Sequence, residues 1–175
     1  AISVGDGCTI AGLWKGLKDL YAIGFIDRLP RLISAQAEGC CPINRAIAEN
    51  KPWEPMEENT LADSIAVGVP RNADKALMAI RESDGIVVNV SDEEIMAAQK
   101  LLGRTCGVFG EPAGVTGAAG VKKLCEQGVI GKDDTVVSVV TGNGLKDVAN
   151  AIKAAGEPIS IPSDMDRLLA AFAEK

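Results

Sequence analysis

Apolar residues recur along this chain with two different periods. Ile10, Leu13, Trp14, Leu17, Leu20 and Tyr21 stand three and four apart, a spacing that predicts an amphipathic helix. Strand-length apolar runs occupy Ala1 to Val4, Leu32 to Ala37 and Ile86 to Val90. Thr135 to Val140 reads as the clearest strand, apolar nearly throughout, as strands covered on both faces by helices are. Between these runs the spacing predicts helices over Ile43 to Ala48 after Pro42, from Pro70 through Ala76, Leu77 and Ile80, and through Ile95, Ala98, Leu101 and Leu102 to Gly103. Ser91 and Glu94 have the spacing of a capping box in front of the third of these. Further helices are expected over Ala113 to Glu126, whose Gly and Ala allow close packing, over Leu145 to Ala155, and over Asp164 to Ala173 with Ser163 as cap. Gly24, Asp27 to Pro30 and Asn50 to Asn59 read as loops. Strands alternating with helices give an α/β fold: a mainly parallel sheet with helices on both faces.

A length of 175 residues fits one domain with a core of its own. A hydrophobic fraction of 47% excludes disorder by composition, and the 3% aromatic content leaves Ala, Val, Ile and Leu to build that core. The formal charge is −6, with no basic cluster, which argues against nucleic acid or an anionic membrane as partner. No apolar stretch approaches the roughly 20 residues of a membrane-spanning helix, and no signal-peptide pattern opens the chain. The chain begins within a core strand, which hints at a piece of something larger.

Five cysteines (8, 40, 41, 106 and 125) with no CxxC and no histidine argue against a disulfide framework or a zinc site. They fit reduced thiols of a cytoplasmic protein, each reading as a small buried apolar residue. The absence of histidine also removes Ser-His and Cys-His nucleophilic chemistry within the chain.

Ligands in open parallel sheets bind beyond the carboxyl ends of the strands. Two such ends carry unusual residues: Gly5-Asp6-Gly7-Cys8-Thr9 and Thr141-Gly142-Asn143-Gly144. Glycines at a strand-to-helix turn let the backbone approach a ligand, and the free N–H groups and dipole of the following helix favour an anion. Two glycines alone favour an ordinary βα turn. The turn lacks the Gly-x4-Gly-Lys-Ser/Thr spacing and matches GxGxxG poorly, so a single phosphate fits better than a dinucleotide. Parallel strands would bring both turns to one rim, with Glu111 beside them or serving only as a helix start.

The segment Val4-Gly5-Asp6-Gly7-Cys8-Thr9-Ile10-Ala11-Gly12-Leu13-Trp14-Lys15-Gly16 resembles the phosphate-binding loop and following helix of the threonine synthases. These belong to the fold-type II pyridoxal-phosphate (PLP) enzymes, with threonine dehydratase and serine racemase. Gly110-Glu111-Pro112-Ala113 and Val140-Thr141-Gly142-Asn143-Gly144-Leu145-Lys146-Asp147 agree in order, the latter resembling threonine synthases more than dehydratases. The similarity spans nearly the whole chain but only the C-terminal part of such an enzyme.

By that resemblance, residues 1–175 are the C-terminal part of a PLP-binding domain, and the Schiff-base lysine lies in an N-terminal part outside this chain. No catalytic residue and no metal ligand is then expected here. Gly5, Asp6, Gly7, Cys8 and Thr9 would hold the PLP phosphate through their backbone, and Thr141 would set its hydroxyl at the pyridine nitrogen. Glu111 would stand at the pocket wall. Asp6 and Cys8 depart from the family's frequent Asn or Ala, so the Asp6 carboxylate should point away from the phosphate, and Cys8 reads as a packed thiol. Lys146 reads as a surface residue. The implied activity converts O-phosphohomoserine and water to threonine and phosphate in a homodimer, with this chain inactive alone. A segment of a dehydratase or racemase, or a non-catalytic phosphate- or PLP-binding module, is the alternative.

Overall fold

A computed structural model describes residues 1–156 and 160–173. Three parallel strands, β1 (Ile2–Ser3), β2 (Ile33–Ala37) and β3 (Ile86–Val90), lie in the order β1-β2-β3, with Ile2 opposite Ser34 and Ala35 opposite Val88. Because side chains alternate across a strand, each strand feeds two layers. Ile33, Ala35, Ala37, Val88 and Val90 pack into a core with helices α4 (Asp92–Cys106) and α5 (Pro112–Glu126). Ile2 and Val4 point the other way, into a core with α1 (Cys8–Ala22), α2 (Pro42–Glu49) and α3 (Ala73–Glu82). The result is the expected α/β arrangement, with helices on both faces of a parallel sheet.

Two residues explain how closely α5 sits on the sheet. A Cβ at Gly117 would lie 3.2 Å from the Ser3 nitrogen, and one at Gly120 would lie 2.7 Å from Val88 Cγ1. On the opposite face, α2 is fixed by polar groups. Asn44, 1% exposed, donates to the Ser34 and Val88 carbonyls and to Asn89 Oδ1, accepts from the Ser34 hydroxyl, and gives its backbone N–H to Gln36 Oε1. Buried polar groups satisfied in this way are costly to disturb. The capping box before α4 forms as expected, Ser91 Oγ accepting from the Glu94 N–H and Glu94 Oε2 from the Ser91 N–H.

The chain departs from the sequence reading mainly after residue 130. Residues 135–140 do not form a regular strand. They run alongside β1 through two bonds, Ala1 N to the Val137 carbonyl and Val139 N to the Ala1 carbonyl. The neighbour on that side is only two residues long, so an apolar sequence lacks the ladder that would make it a strand. Val136 and Val140 still pack against one core and Val139 against the other, while Val137 is 73% exposed.

The helix expected over Leu145 to Ala155 is divided. A 3₁₀ turn (Gly144–Lys146) precedes α6 (Val148–Ala155), whose N-terminus is capped by Asp147 Oδ1 accepting from Asn150 N. In α7 (Met165–Ala173) the cap is Asp164, which accepts from the Arg167 N–H, and not Ser163. α4 runs past Gly103 to Cys106, ending at Gly107 in the left-handed region, and α3 starts at Ala73 rather than at Pro70.

Candidate functional site

β1 leads through Val4 into the turn 5–7, and α1 starts at Cys8. The turn's shape depends on Gly7, whose φ of 84° lies in the region only glycine adopts without strain. A Cβ there would also come within 2.7 Å of Ala76 Cβ. Ala11 is the first residue of the helix whose N–H meets a carbonyl, that of Gly7. The N–H groups of residues 5–10 have no acceptor among the described residues. The same residues line a cavity of about 260 Å³, together with Ser64, Ile65, Glu111, Ala113 and Thr141.

α3 aims these donors. The carbonyl of Asp6 accepts from Asn72 N and that of Gly7 from Asn72 Nδ2, which turns those carbonyls toward α3 and the N–H groups of Gly7 and Cys8, on the opposite side of each trans peptide, away from it. The Asp6 carboxylate accepts from the Arg71 N–H at 3.0 Å, so its charge is directed out of the cup, as the sequence reading required. Cys8 is exposed rather than packed, and so are Cys106 and Cys125; only Cys40 and Cys41 are buried. The expectation of five packed thiols fails because three of them lie on outward faces of helices or at a helix end.

Thr141, exposed, closes the far wall of the same cavity. The two turns singled out from the sequence therefore line one cavity. Glu111 lies between them, 6% exposed. It occupies the N-cap position of α5 but makes no side-chain capping bond; Oε1 instead accepts from Lys146 Nζ at 3.1 Å. Lys146 is mostly in solvent, its side chain 60% exposed, as the sequence reading held. Among the described residues, no cation lines the cavity beside the cup. Any attraction for an anion there comes from oriented N–H groups and a helix N-terminus.

A second cavity, of about 460 Å³, adjoins the first and shares Ser64, Glu111 and Ala113 with it, adding Asp63, Lys146, Asp147 and Asn150. Sequence reasoning missed Ser64, Ile65 and Asn72. Ser64 sits in a short 3₁₀ turn (Asp63–Ile65) within a stretch without periodicity. Asn72 carried a signal, an amide residue in front of an apolar helix.

The donor set suits a phosphate monoester: six unpaired N–H groups at a glycine turn with no competing carboxylate directed at them.

Comparison with known proteins agrees with this. Residues 1–142 match the family model described as pyridoxal-phosphate dependent enzyme. The threonine synthase of Methanosarcina acetivorans is 44% identical over 169 residues, covering 95% of this chain and 42% of the relative. Those of Methanocaldococcus jannaschii and Mycobacterium tuberculosis are 44% and 37% identical, with 42% and 44% of their lengths covered. The chain thus spans less than half the length of these relatives. Among solved structures, threonine synthase from Escherichia coli superposes with a TM-score of 0.66 at 19% identity, over 93% of this chain and 36% of that one. The processed form of threonine deaminase isoform 2 from Solanum lycopersicum gives 0.65 at 23%, over 87% and 42%. At such identities these two show a shared fold, while the family match reaches through the cup and Thr141: the chain belongs to the pyridoxal-phosphate dependent enzymes.

Proposed function

We propose that this chain is the C-terminal portion of a threonine synthase, which converts O-phosphohomoserine and water to threonine and phosphate, and that the lysine holding the cofactor lies outside it. The observation that carries the reading is the single cavity shared by the cup and Thr141. The identities of 37–44% to proteins named threonine synthase support this activity over a dehydratase or racemase.

Bound PLP supplies a sink for the negative charge that develops at the substrate's α carbon. The chain's own groups do the rest of the holding. N–H groups of Gly5, Asp6, Gly7, Cys8 and Thr9 bind the cofactor's phosphate, a dianion that needs no lysine when several charge-assisted bonds converge on it. Gly5 and Gly7 let the turn pack closely on its neighbours: a Cβ at 5 would lie 2.9 Å from Ile65 Cα, and one at 7 would lie 2.7 Å from Ala76 Cβ. The Thr141 hydroxyl meets the ring nitrogen as a neutral partner, which leaves that nitrogen without a carboxylate to hold a proton on it. Ser64 and Ile65 close the cup from above and limit water at the phosphate. Glu111 forms the wall between the two cavities. The protein is placed in the cytoplasm and assembles as a homodimer on this reading.

The test is to combine the chain with the remaining portion of the enzyme and supply O-phosphohomoserine. Threonine and phosphate should appear in equal amounts, and the chain alone should release neither. Formation of ammonia and a 2-oxo acid from threonine or serine, without phosphate release, would assign the dehydratase activity instead. PLP retained without any turnover by the combined protein would favour a binding module.

A further inference from the structure

Glu111 is a buried carboxylate with one ionic partner, and both ends of the 141–146 loop rest on it. At the start of the loop, Gly142 lies directly over the carboxylate: a Cβ at 142 would fall 1.8 Å from Glu111 Oε1. At the end of the loop, Lys146 Nζ donates to the same oxygen. Between these points the Glu111 N–H donates to the Gly142 carbonyl at 2.9 Å and the Gly144 N–H to the Phe109 carbonyl at 3.0 Å. Thr141 lies between Val140, which packs on the core, and Gly142, which sits on the carboxylate and bonds to the Glu111 N–H.

Elsewhere the loop rests on backbone and ring contacts: a Cβ at Gly144 would fall 2.3 Å from Phe109 Cε2, and a Cβ at Gly114 would fall 2.8 Å from the Gly142 nitrogen. Lys146 is the one cation lining either cavity among the described residues. The cup is anchored separately, on α3 through Asn72 and the Arg71 N–H.

We propose that the Glu111–Lys146 pair is a latch that fixes Thr141 on the cavity, with Lys146 a positioning residue that touches neither cofactor nor substrate. The proposal rests on the reading that Thr141 faces the cofactor ring. Without the ammonium, a side chain that is 7% exposed loses its one ionic partner beneath the Gly142 backbone, and the loop shifts to let water reach it. The cup, held on another element, stays as it is.

The test uses the whole protein that carries this chain, with Lys146→Met and Lys146→Arg. PLP and inorganic phosphate dissociation constants are measured together with the unfolding midpoint. A lost charge-assisted bond predicts that Lys146→Met weakens PLP about tenfold while inorganic phosphate affinity stays within about twofold. Lys146→Arg should recover most of the loss, because a cation returns to the carboxylate. Unchanged PLP affinity in Lys146→Met would overturn the latch, and so would an equal loss for PLP and phosphate with a lowered midpoint, the mark of general damage. Thr141→Val separates the two levels. Wild-type PLP affinity and absorption maximum in that variant would remove the underlying reading, and the proposal with it. A changed Thr141→Val beside an unchanged Lys146→Met would leave the reading standing and sink the latch alone.

Discussion

Residues 1–126 and residues 131–173 are built differently, although both contribute to one cavity. In the first stretch every helix has a buried face: Ile10 and Trp14 in α1, Ile43 and Asn44 in α2, Leu77 and Ile80 in α3, Ile95 in α4, and most of the first half of α5. In the second, α6 and α7 bury no residue at all. Val148 and Ile152 on α6 and Met165, Leu169 and Phe172 on α7 are 51–71% exposed. The cup therefore belongs to the packed body, and Thr141 to a loop held by a few polar bonds.

Substitutions should sort by region. The largest effect is expected for Gly7→Val, which places a branched side chain at a left-handed φ and against Ala76. It should destabilise by about 3 kcal/mol and abolish PLP retention, read from urea unfolding and from absorbance after desalting. Asn44→Ala, which opens the buried network under α2, should cost about 2–3 kcal/mol by urea unfolding while leaving PLP affinity near wild type.

Smaller effects follow on the surface of the body. Burial pushes the Glu94 carboxyl up, but the Lys123 ammonium at 2.9 Å and the Ser91 N–H outweigh it and hold it below the usual carboxylate range. Burial likewise pulls Lys123 down, and Glu94 and Glu38 outweigh that to hold it above the usual ammonium range. A carboxyl lowered on folding contributes stability above its unfolded pKa and loses it as the pH falls through the folded value. An ammonium raised on folding contributes below its unfolded pKa and loses it as the pH rises through the folded value. Glu94→Gln should therefore lower stability by less than about 1 kcal/mol at neutral pH, and flatten the fall in stability on the acid side. The smallest effect is expected for Leu169→Ser on α7, within about 0.5 kcal/mol, since the side chain is 60% exposed. A cost above about 2 kcal/mol there would break the contrast between the two regions.

The same contrast sets what was legible in the sequence. The strands at Ile33–Ala37 and Ile86–Val90, the capping box at Ser91 and the small-residue face of α5 were all readable, because local pattern and burial agree there. Thr135 to Val140 was misread for the opposite reason: its apolar composition answers to packing of Val136, Val139 and Val140, while regular pairing depends on a neighbour too short to supply it. The cup was visible as two glycines but ambiguous, and Thr141 gave it a partner only through the topology. The bonds from Asn72 to the turn, and from Lys146 to Glu111, join residues 65 and 35 positions apart, beyond what any local period encodes.

The central claim is that backbone amides of one turn and a hydroxyl across the cavity serve the same ligand. Amide proton–nitrogen correlation spectra of the whole protein, recorded while PLP is added, test it residue by residue. The account predicts that the amides of Gly5 to Ile10 and of Thr141 move together along one binding curve, and that inorganic phosphate moves the first group alone. Saturation with PLP that leaves the amides of Gly5 to Ile10 in place would contradict it.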